Sequence, residues 1–254
     1  WCPEQPKLYR IDLRLLQEGR VTDHYPLDFG FRTIAIEGSK FLLNGKPIFM
    51  RGFGRHEDLP VIGKGLNLPF QVKDYNLMRW VGANSFRTAH YPYAEEQLQM
   101  ADRQGFLVID ETAANTLSLT ALKDDEAARA RLLERHKNHS RELIERDYNY
   151  ASVVGWSLGN ECEMWRDLSC GYFNELMRHT KQFDKSRPFT CVSMAAGLES
   201  VHKIEADEFD FIGYNTYPAW YSDQGKPQNI RPWLEQQMKQ LWETFGKPVL
   251  MSEF

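Results

Sequence analysis

Side chains able to transfer protons and to bind hydroxyl groups follow several short apolar runs in this chain. Each set stands where a buried strand would end: Arg55, His56, Glu57 and Asp58; His90 and Tyr91; Asp110 and Glu111; Asn160 and Glu161; Asn215, Tyr217 and Tyr221; and Glu253. The sequence has no glycine-rich phosphate loop, no G-x-S-x-G serine and no histidine pair at metal-ligand spacing. We therefore expect chemistry carried out by carboxylates, with no metal and no other cofactor.

Carboxylates, amides and aromatic rings that face one pocket suit hydrolysis of a glycosidic bond. One carboxyl group protonates the leaving oxygen, while a second, ionised one attacks or stabilises the sugar cation. The run Val153-Val154-Gly155-Trp156 is typical of a strand covered on both faces, as in a parallel sheet. Asn160 and Glu161 would then stand at the carboxyl end of that strand, where such sheets place their chemistry.

Short apolar strands alternate with amphipathic helices along most of the chain. The predicted strands cover residues 48–54, 86–90, 106–110, 153–158, 189–193, 210–214 and 248–252, and the predicted helices cover 72–83, 94–105, 141–150, 171–183 and 231–246. This alternation predicts parallel strands joined by crossover helices. An α/β fold follows, a (β/α)₈ TIM barrel truncated after strand seven, with a doubly wound sheet as the alternative.

The first forty residues show a different pattern. Two strand-like stretches, 7–16 and 28–37, flank a turn and predict the tail of an antiparallel, immunoglobulin-like β-sandwich domain. We assign residues 1–40 to that remnant and residues 41–254 to a catalytic barrel that lacks its last strand and the following segment. Asn44-Gly45, between two apolar runs, predicts a hairpin at the entry to the barrel.

Composition excludes several classes of partner. The 254 residues are 42% hydrophobic and 26% charged, with a formal charge of -4, as in an ordinary globular protein. No apolar run approaches the roughly 18 residues that predict a membrane span, and no block of like charge indicates nucleic acid. No targeting segment is recognisable, and we expect a cytoplasmic location if the source is bacterial.

Two motifs carry a family resemblance. "WSLGNE" (156–161) and "VLMSEF" (249–254) resemble the paired catalytic motifs of glycoside hydrolase family 2. "GFGRHED" (52–58), "GKG" (63–65), "GANSFRTAHYPYAEE" (82–96) and "VIDETAA" (108–114) are similar to its β-glucuronidase branch, in order and over nearly the whole chain. The resemblance implies a retaining glycosidase with a β-glucuronide or related glycoside as substrate.

The same resemblance assigns roles to individual residues. Glu161 would be the general acid/base and Glu253 the nucleophile, with their carboxyl groups about 5 to 5.5 Å apart. Asn160 would bind the sugar 2-hydroxyl, and Arg87 would keep Glu253 ionised through a charge-assisted contact. The other residues expected at the site are His90, Tyr217, Tyr221 and Asp58, which bind substrate, and Asn215, which supports the site.

The chain departs from the glucuronidase pattern in two places. Asn160-Glu161-Cys162, preceded by "SLG", is closer to the β-galactosidase branch than the usual Asn-Glu-Pro. The Asn-x-Lys pair that reads the sugar carboxylate would lie beyond Glu253, outside this sequence. A β-galactosidase and a non-catalytic carbohydrate-binding barrel therefore stay as alternatives. We also expect the full-length parent to be a homo-oligomer, and the 254-residue segment alone to be inactive.

Overall fold

The computed structural model describes residues 1–164, 167–194 and 208–254. Its amino-terminal part holds two small antiparallel sheets. The first is a two-stranded hairpin of β1 (Tyr9–Gln17) and β2 (Arg20–Phe29). The second has three strands, β3 (Ile34–Glu37), β4 (Lys40–Leu43) and β5 (Lys46–Ile48). The sequence pattern predicts one strand over residues 28–37. In the structure, residues 34–37 form a separate strand that pairs with β4.

The rest of the chain forms a parallel seven-stranded sheet that curls into a nearly closed barrel. Its strands, in chain order and in spatial order, are β6 (Gly52–Arg55), β7 (Ser85–Thr88), β8 (Leu107–Glu111), β9 (Val153–Asn160), β10 (Phe189–Met194), β11 (Ile212–Asn215) and β12 (Val249–Glu253). The edge strands β6 and β12 approach each other without pairing. The predicted truncated TIM barrel is confirmed, and the doubly wound alternative is wrong.

Five helices in the described residues cover the outside of the sheet: α1 (Leu68–Trp80), α2 (Glu95–Gln104), α3 (Glu126–Asp147), α4 (Asp167–Thr180) and α5 (Ile230–Phe245). Helix α3 begins at Glu126, well before the predicted start at residue 141. The Asp125 side chain caps it by accepting a hydrogen bond from the backbone N–H of Ala128 at 2.8 Å. Residues 126–137 are rich in Ala, Leu, Arg and Glu, which favour helix.

The core lies between the barrel strands and these helices. Every residue of β8 and β9 is buried, which confirms that the run beginning at Val153 is covered on both faces. The small sheet β3–β5 closes the amino-terminal end of the barrel, where Phe41 packs edge-on against Phe211 at 5.1 Å. Asn44 and Gly45 have φ values of 52° and 74°, so the predicted hairpin is confirmed between β4 and β5.

In the described parts of the chain, every helix is too short or too polar to cross a membrane.

A buried histidine on α3 makes stability depend on pH. His136 lies 3.0 Å (Nδ1) from the Tyr172 hydroxyl and 2.8 Å (Nε2) from the Leu158 carbonyl oxygen. Burial lowers the pKa of His136 to about 4. Between that value and about 6.5 the unfolded chain binds the extra proton, so stability is complete above this window and falls as pH decreases through it, by about 3 kcal/mol.

We predict that His136→Gln flattens this pH dependence between pH 6.5 and 4. The free energy of unfolding, measured with urea at several pH values, checks it. His139→Gln is the matched control, because His139 is exposed on the same helix. Equal slopes in wild type and His136→Gln would contradict the assignment.

Candidate active site

The carboxyl ends of β9 and β12 bring Glu161 and Glu253 to one hydroxyl group. The Tyr217 hydroxyl, on the segment after β11, lies 3.3 Å from Glu161 Oε1 and hydrogen-bonds Glu253 Oε2. Burial raises the pKa of Tyr217, and the two carboxylates raise it further. The phenol therefore stays protonated and donates a hydrogen bond to a carboxylate.

Glu161 leaves its strand in an unusual backbone conformation. Its φ is 50°, in the left-handed region that non-glycine residues rarely adopt. The backbone N–H donates to the Val192 carbonyl oxygen at 2.9 Å, which holds this conformation against β10. Such local strain is common where a side chain must be aimed at a reaction.

A buried ionic cluster surrounds Glu253. Arg87 donates from Nη2 to Glu253 Oε1 at 2.5 Å, and from Nη1 to both oxygens of Glu111 at 2.7 Å. His90 lies between the same carboxylates, 2.9 Å (Nδ1) from Glu111 Oε1 and 3.5 Å (Nε2) from Glu253 Oε1. Ser157 Oγ donates to the second oxygen of Glu111 at 2.7 Å. Burial alone would lower the pKa of Arg87, but Glu111 and Glu253 raise it, so the cation is held in place.

A chain of amides supports Glu161. Asn215 donates from Nδ2 to Glu161 Oε1 at 3.0 Å and to Asn160 Oδ1 at 2.9 Å. Ser252 Oγ donates to Asn215 Oδ1 at 2.7 Å, and Asn160 Nδ2 donates to Asn115 Oδ1 at 3.0 Å. These bonds link the ends of β9, β11 and β12, so the position of Glu161 depends on three strands at once.

The residues predicted from the sequence differ in how closely they approach this pair. All except Asp58 are linked to Glu161 or Glu253 through hydrogen bonds or ring contacts. Tyr221 is among them, because its ring meets the Tyr217 ring edge-on at 5.5 Å. Asp58 is exposed on the loop after β6 and forms no hydrogen bond with Glu161 or Glu253 within the described residues. His56, two residues before Asp58, has its ring centre 5.3 Å from that of His90. A direct contact of Asp58 with a bound sugar stays a prediction.

Several supporting residues were not predicted. Ser157 and Ser252 stand on the strands that carry the carboxylates, Ser252 directly before Glu253, and Asn115 follows β8. Their signal in the sequence is weak, because a single serine or asparagine is common on any surface. The sequence places Glu111 at a strand end, but spacing alone does not predict its two contacts with Arg87.

A cavity of about 300 Å³ adjoins the site. Its lining includes Glu161, Tyr217, Tyr221, Asp223 and Trp233.

Within residues 1–164, 167–194 and 208–254, no three His, Cys, Asp or Glu side chains are arranged to hold a metal ion.

Comparison with known proteins places this geometry in a family. Residues 34–254 match the family described as "Glycosyl hydrolases family 2, TIM barrel domain", and residues 1–32 match "Glycosyl hydrolases family 2". The chain is 40% identical over 259 residues to a beta-glucuronidase of Paenibacillus borealis, and 41% identical over 263 residues to that of Mus musculus. Both alignments cover 100% of this chain and 43% and 39% of those relatives, so it spans about two fifths of their length.

Solved structures give the same result. The beta-D-glucuronidase of Dictyoglomus thermophilum superposes with a TM-score of 0.90 at 39% identity, covering 100% of this chain and 44% of that one. The Ruminococcus gnavus enzyme in complex with D-glucaro 1,5-lactone superposes with a TM-score of 0.85 at 35% identity, covering 97% and 42%. With a family match over most of its length and identities near 40%, the chain belongs to glycosyl hydrolases family 2.

Proposed function

We propose that this chain carries the catalytic residues of a retaining β-glucuronidase. The contact of one hydroxyl, that of Tyr217, with both Glu161 and Glu253 carries the proposal. Two oxygens bound to the same hydroxyl lie within about 6 Å of each other. That separation suits retaining glycosidases, at about 5 to 5.5 Å, better than inverting ones, at about 6.5 to 9.5 Å.

The reaction then proceeds in two displacements. Glu253 attacks the anomeric carbon, the bond from that carbon to the aglycone oxygen breaks, and Glu161 donates a proton to this oxygen. Glu161, now ionised, takes a proton from a water molecule whose oxygen bonds the anomeric carbon. The bond to Glu253 breaks in that step, which releases glucuronate and restores both carboxyl groups.

The surrounding residues serve these two steps. Arg87 and Tyr217 stabilise the ionised form of Glu253 before attack, through charge-assisted hydrogen bonds. Asn160, held by Asn115 and Asn215, is placed to bind the sugar 2-hydroxyl, where the contact strengthens toward the transition state. None of these steps uses a cofactor.

The choice of glucuronide over galactoside is supported by the named relatives. The similar proteins are beta-glucuronidases, and one structure holds a glucaro lactone. The "SLGNE" motif favours the galactoside alternative. A β-glucuronidase and a β-galactosidase differ in the residues that recognise the substituent at C6 of the sugar. The relative turnover of the two substrates distinguishes these alternatives directly.

The test uses the complete reading frame that encodes this chain. We expect it to hydrolyse p-nitrophenyl β-D-glucuronide much faster than the matching β-galactoside, and to release the β-anomer first, as followed by proton NMR. Faster galactoside turnover would overturn the specificity, and release of the α-anomer would overturn retention. A carbohydrate-binding barrel without catalysis would hydrolyse neither substrate.

We also propose that residues 1–40 include the end of a β-sandwich domain. Every residue of β1 is exposed, among them Leu13 and Leu15, and most of β2 is exposed as well. A two-stranded hairpin is at best marginally stable alone, and its apolar side chains need a covering sheet. The separate family match to residues 1–32 supports a distinct amino-terminal unit, and the match to the barrel family begins at residue 34.

The 254-residue chain assayed alone should be a poor catalyst. Strands β6 and β12 have unpaired edges, and Glu253 stands on β12. Unpaired edges loosen the strands that must hold the nucleophile. We predict about a tenfold or greater rise in turnover when the chain is extended through a complete eight-stranded barrel, measured at equal folded concentration. Equal rates would show that the seven-stranded pocket is self-sufficient.

A further inference from the structure

Two buried thiols lie beside the proposed proton donor and take no part in the reaction described so far. Cys162 follows Glu161 in the chain, and Cys191 lies on the neighbouring strand, β10. The two side chains are 0% and 4% exposed. We propose that Cys162 and Cys191 are positioning residues, whose hydrogen bonds hold Glu161 in the conformation from which it donates its proton. The proposal rests on the proposed function, in which Glu161 is the general acid.

The strand end that carries the acid, residues 159–161, has an unusual backbone at two positions. The φ values are 156° at Gly159 and 50° at Glu161, and side-chain-bearing residues rarely adopt either. The Asn160 N–H donates to the Ala114 carbonyl oxygen at 2.8 Å. The Glu161 N–H donates to the Val192 carbonyl oxygen at 2.9 Å. The direction of the Glu161 side chain therefore depends on what else holds this strand end.

The two thiols bind carbonyl oxygens of the same strand end. Cys191 Sγ donates to the Gly159 carbonyl oxygen at 3.3 Å. Cys162 Sγ lies 3.6 Å from the carbonyl oxygens of both Asn160 and Ala114, so its single proton is shared between them. The two carbonyl groups that precede the acid thus each contact a thiol.

The backbone at Gly159 leaves room for one of these sulfurs. A Cβ added at Gly159 would lie 3.0 Å from Cys162 Sγ and 2.9 Å from the Ala114 carbonyl oxygen. Carbon atoms do not approach sulfur or oxygen so closely without displacing them. The Cys162 side chain therefore packs into the space that the absent side chain of Gly159 leaves, and its position and that of the strand end are coupled.

The ionisation state of Cys191 suits a donor. Burial raises the pKa of the Cys191 thiol, and the neighbouring Cys162 thiol raises it further. Cys191 therefore stays protonated and able to donate to a carbonyl oxygen. It adds no negative charge near Glu161, where an anion would disfavour the ionised form that the second displacement requires.

The test compares two substrates that differ in their need for the acid. Phenyl β-D-glucuronide has a poor leaving group that takes a proton from Glu161, whereas the first displacement of dinitrophenyl β-D-glucuronide needs no proton. In the protein from the complete reading frame, Cys162→Ala should lower kcat/KM about tenfold for the phenyl substrate. It should leave kcat/KM for the dinitrophenyl substrate within about twofold of wild type. Equal losses on both substrates, or no loss on either, would overturn the proposal.

Cys162→Ser separates hydrogen bonding from packing. Serine and alanine are both smaller than cysteine, but the serine hydroxyl still donates to a carbonyl oxygen. We therefore expect Cys162→Ser to keep kcat/KM for the phenyl substrate within about threefold of wild type. If serine loses as much as alanine, the hydrogen bonds of the thiol do not position Glu161 and the proposal is wrong.

Cys2→Ala is the matched control. Cys2 lies near the amino terminus, where its Sγ donates to the Gln5 carbonyl oxygen at 3.9 Å, so its removal should change neither substrate. Should thermal melting show that Cys162→Ala unfolds, Cys191→Ala replaces it. Loss of the hydrogen bond to Gly159 should give the same difference between the two substrates, and equal losses would again contradict the proposal.

Hydrogen exchange separates failure of this proposal from failure of the proposed function. Wild type that hydrolyses neither glucuronide would sink the function. Exchange of the Glu161 N–H, followed by mass spectrometry of a peptide that spans residues 157–163, then decides the role of the thiols. Faster exchange in Cys162→Ala than in wild type and Cys162→Ser supports that role, and equal exchange in all three proteins overturns it.

Discussion

Glu253→Ala is expected to lose about 10⁵-fold in kcat on aryl glucuronides, since no group remains to attack the anomeric carbon. Glu161→Ala should lose about 10² to 10⁴-fold in kcat/KM on substrates with poor leaving groups, and much less in kcat/KM on nitrophenyl substrates, whose first displacement needs no proton. Glu243→Ala is the control, because Glu243 is exposed on α5. Both assays use the protein from the complete reading frame, with folding checked by circular dichroism.

Azide identifies which carboxylate has which role. In Glu253→Ala it can occupy the space of the missing carboxylate and attack the sugar once, which yields the α-glycosyl azide. In Glu161→Ala it intercepts the covalent intermediate on Glu253, and two inversions yield the β-glycosyl azide. Exchanged products would show that the two roles are reversed, and absence of the β-glycosyl azide from Glu161→Ala would argue against a covalent intermediate.

The barrel could be predicted from the sequence because its signals are local and repeated. Each buried strand is an apolar run, and helices such as α2 and α5 end at a glycine with positive φ, Gly105 and Gly246. Helix α3 was underestimated, because its first three turns carry mostly polar residues and lack the apolar period that identifies an amphipathic helix. Its capping residue, Asp125, was the available signal.

The site was predictable only to the level of its strand-end residues. Position at a strand end places a side chain on the rim, and this is why Glu161, His90 and Tyr217 could be grouped. Which rim residues touch depends on side-chain direction and on register, such as the pairing of Asn215 with Glu253 between β11 and β12. Asp58 shows the limit, since it ends a family motif and follows β6, yet it is exposed and forms no hydrogen bond with Glu161 or Glu253 within the described residues.

Glu111→Gln should impair catalysis although Glu111 lies behind Glu253, the proposed nucleophile, and is fully buried. Arg87 divides its hydrogen bonds between Glu111 and Glu253, so the charge of Glu111 limits how strongly Arg87 stabilises the nucleophile. When Glu253 becomes an ester in the intermediate, Glu111 still balances Arg87. We infer that Glu111 is a positioning residue that sets the reactivity of Glu253.

The glutamine variant removes this charge and keeps the size of the side chain. Its oxygen can accept from Arg87 and His90, and its amide nitrogen, in the place of the second oxygen, can donate to Ser157 Oγ but cannot accept from Arg87. Arg87 then pairs with Glu253 alone, which favours the carboxylate and makes it a weaker nucleophile. We expect kcat to fall about 100-fold, given the strength of charged hydrogen bonds.

The pH profile separates this role from a merely structural one. Because net positive charge beside Glu253 increases by one, the acidic limb of kcat/KM should move to lower pH in Glu111→Gln. Asp110→Asn is the control on the same strand. Burial and the neighbouring Asp147 raise the pKa of Asp110, and its carboxylate accepts a hydrogen bond from Thr88, not from Arg87. If the pH profile of kcat/KM in Glu111→Gln is unchanged or moves to higher pH, Glu111 has only a packing role, whatever the loss of kcat.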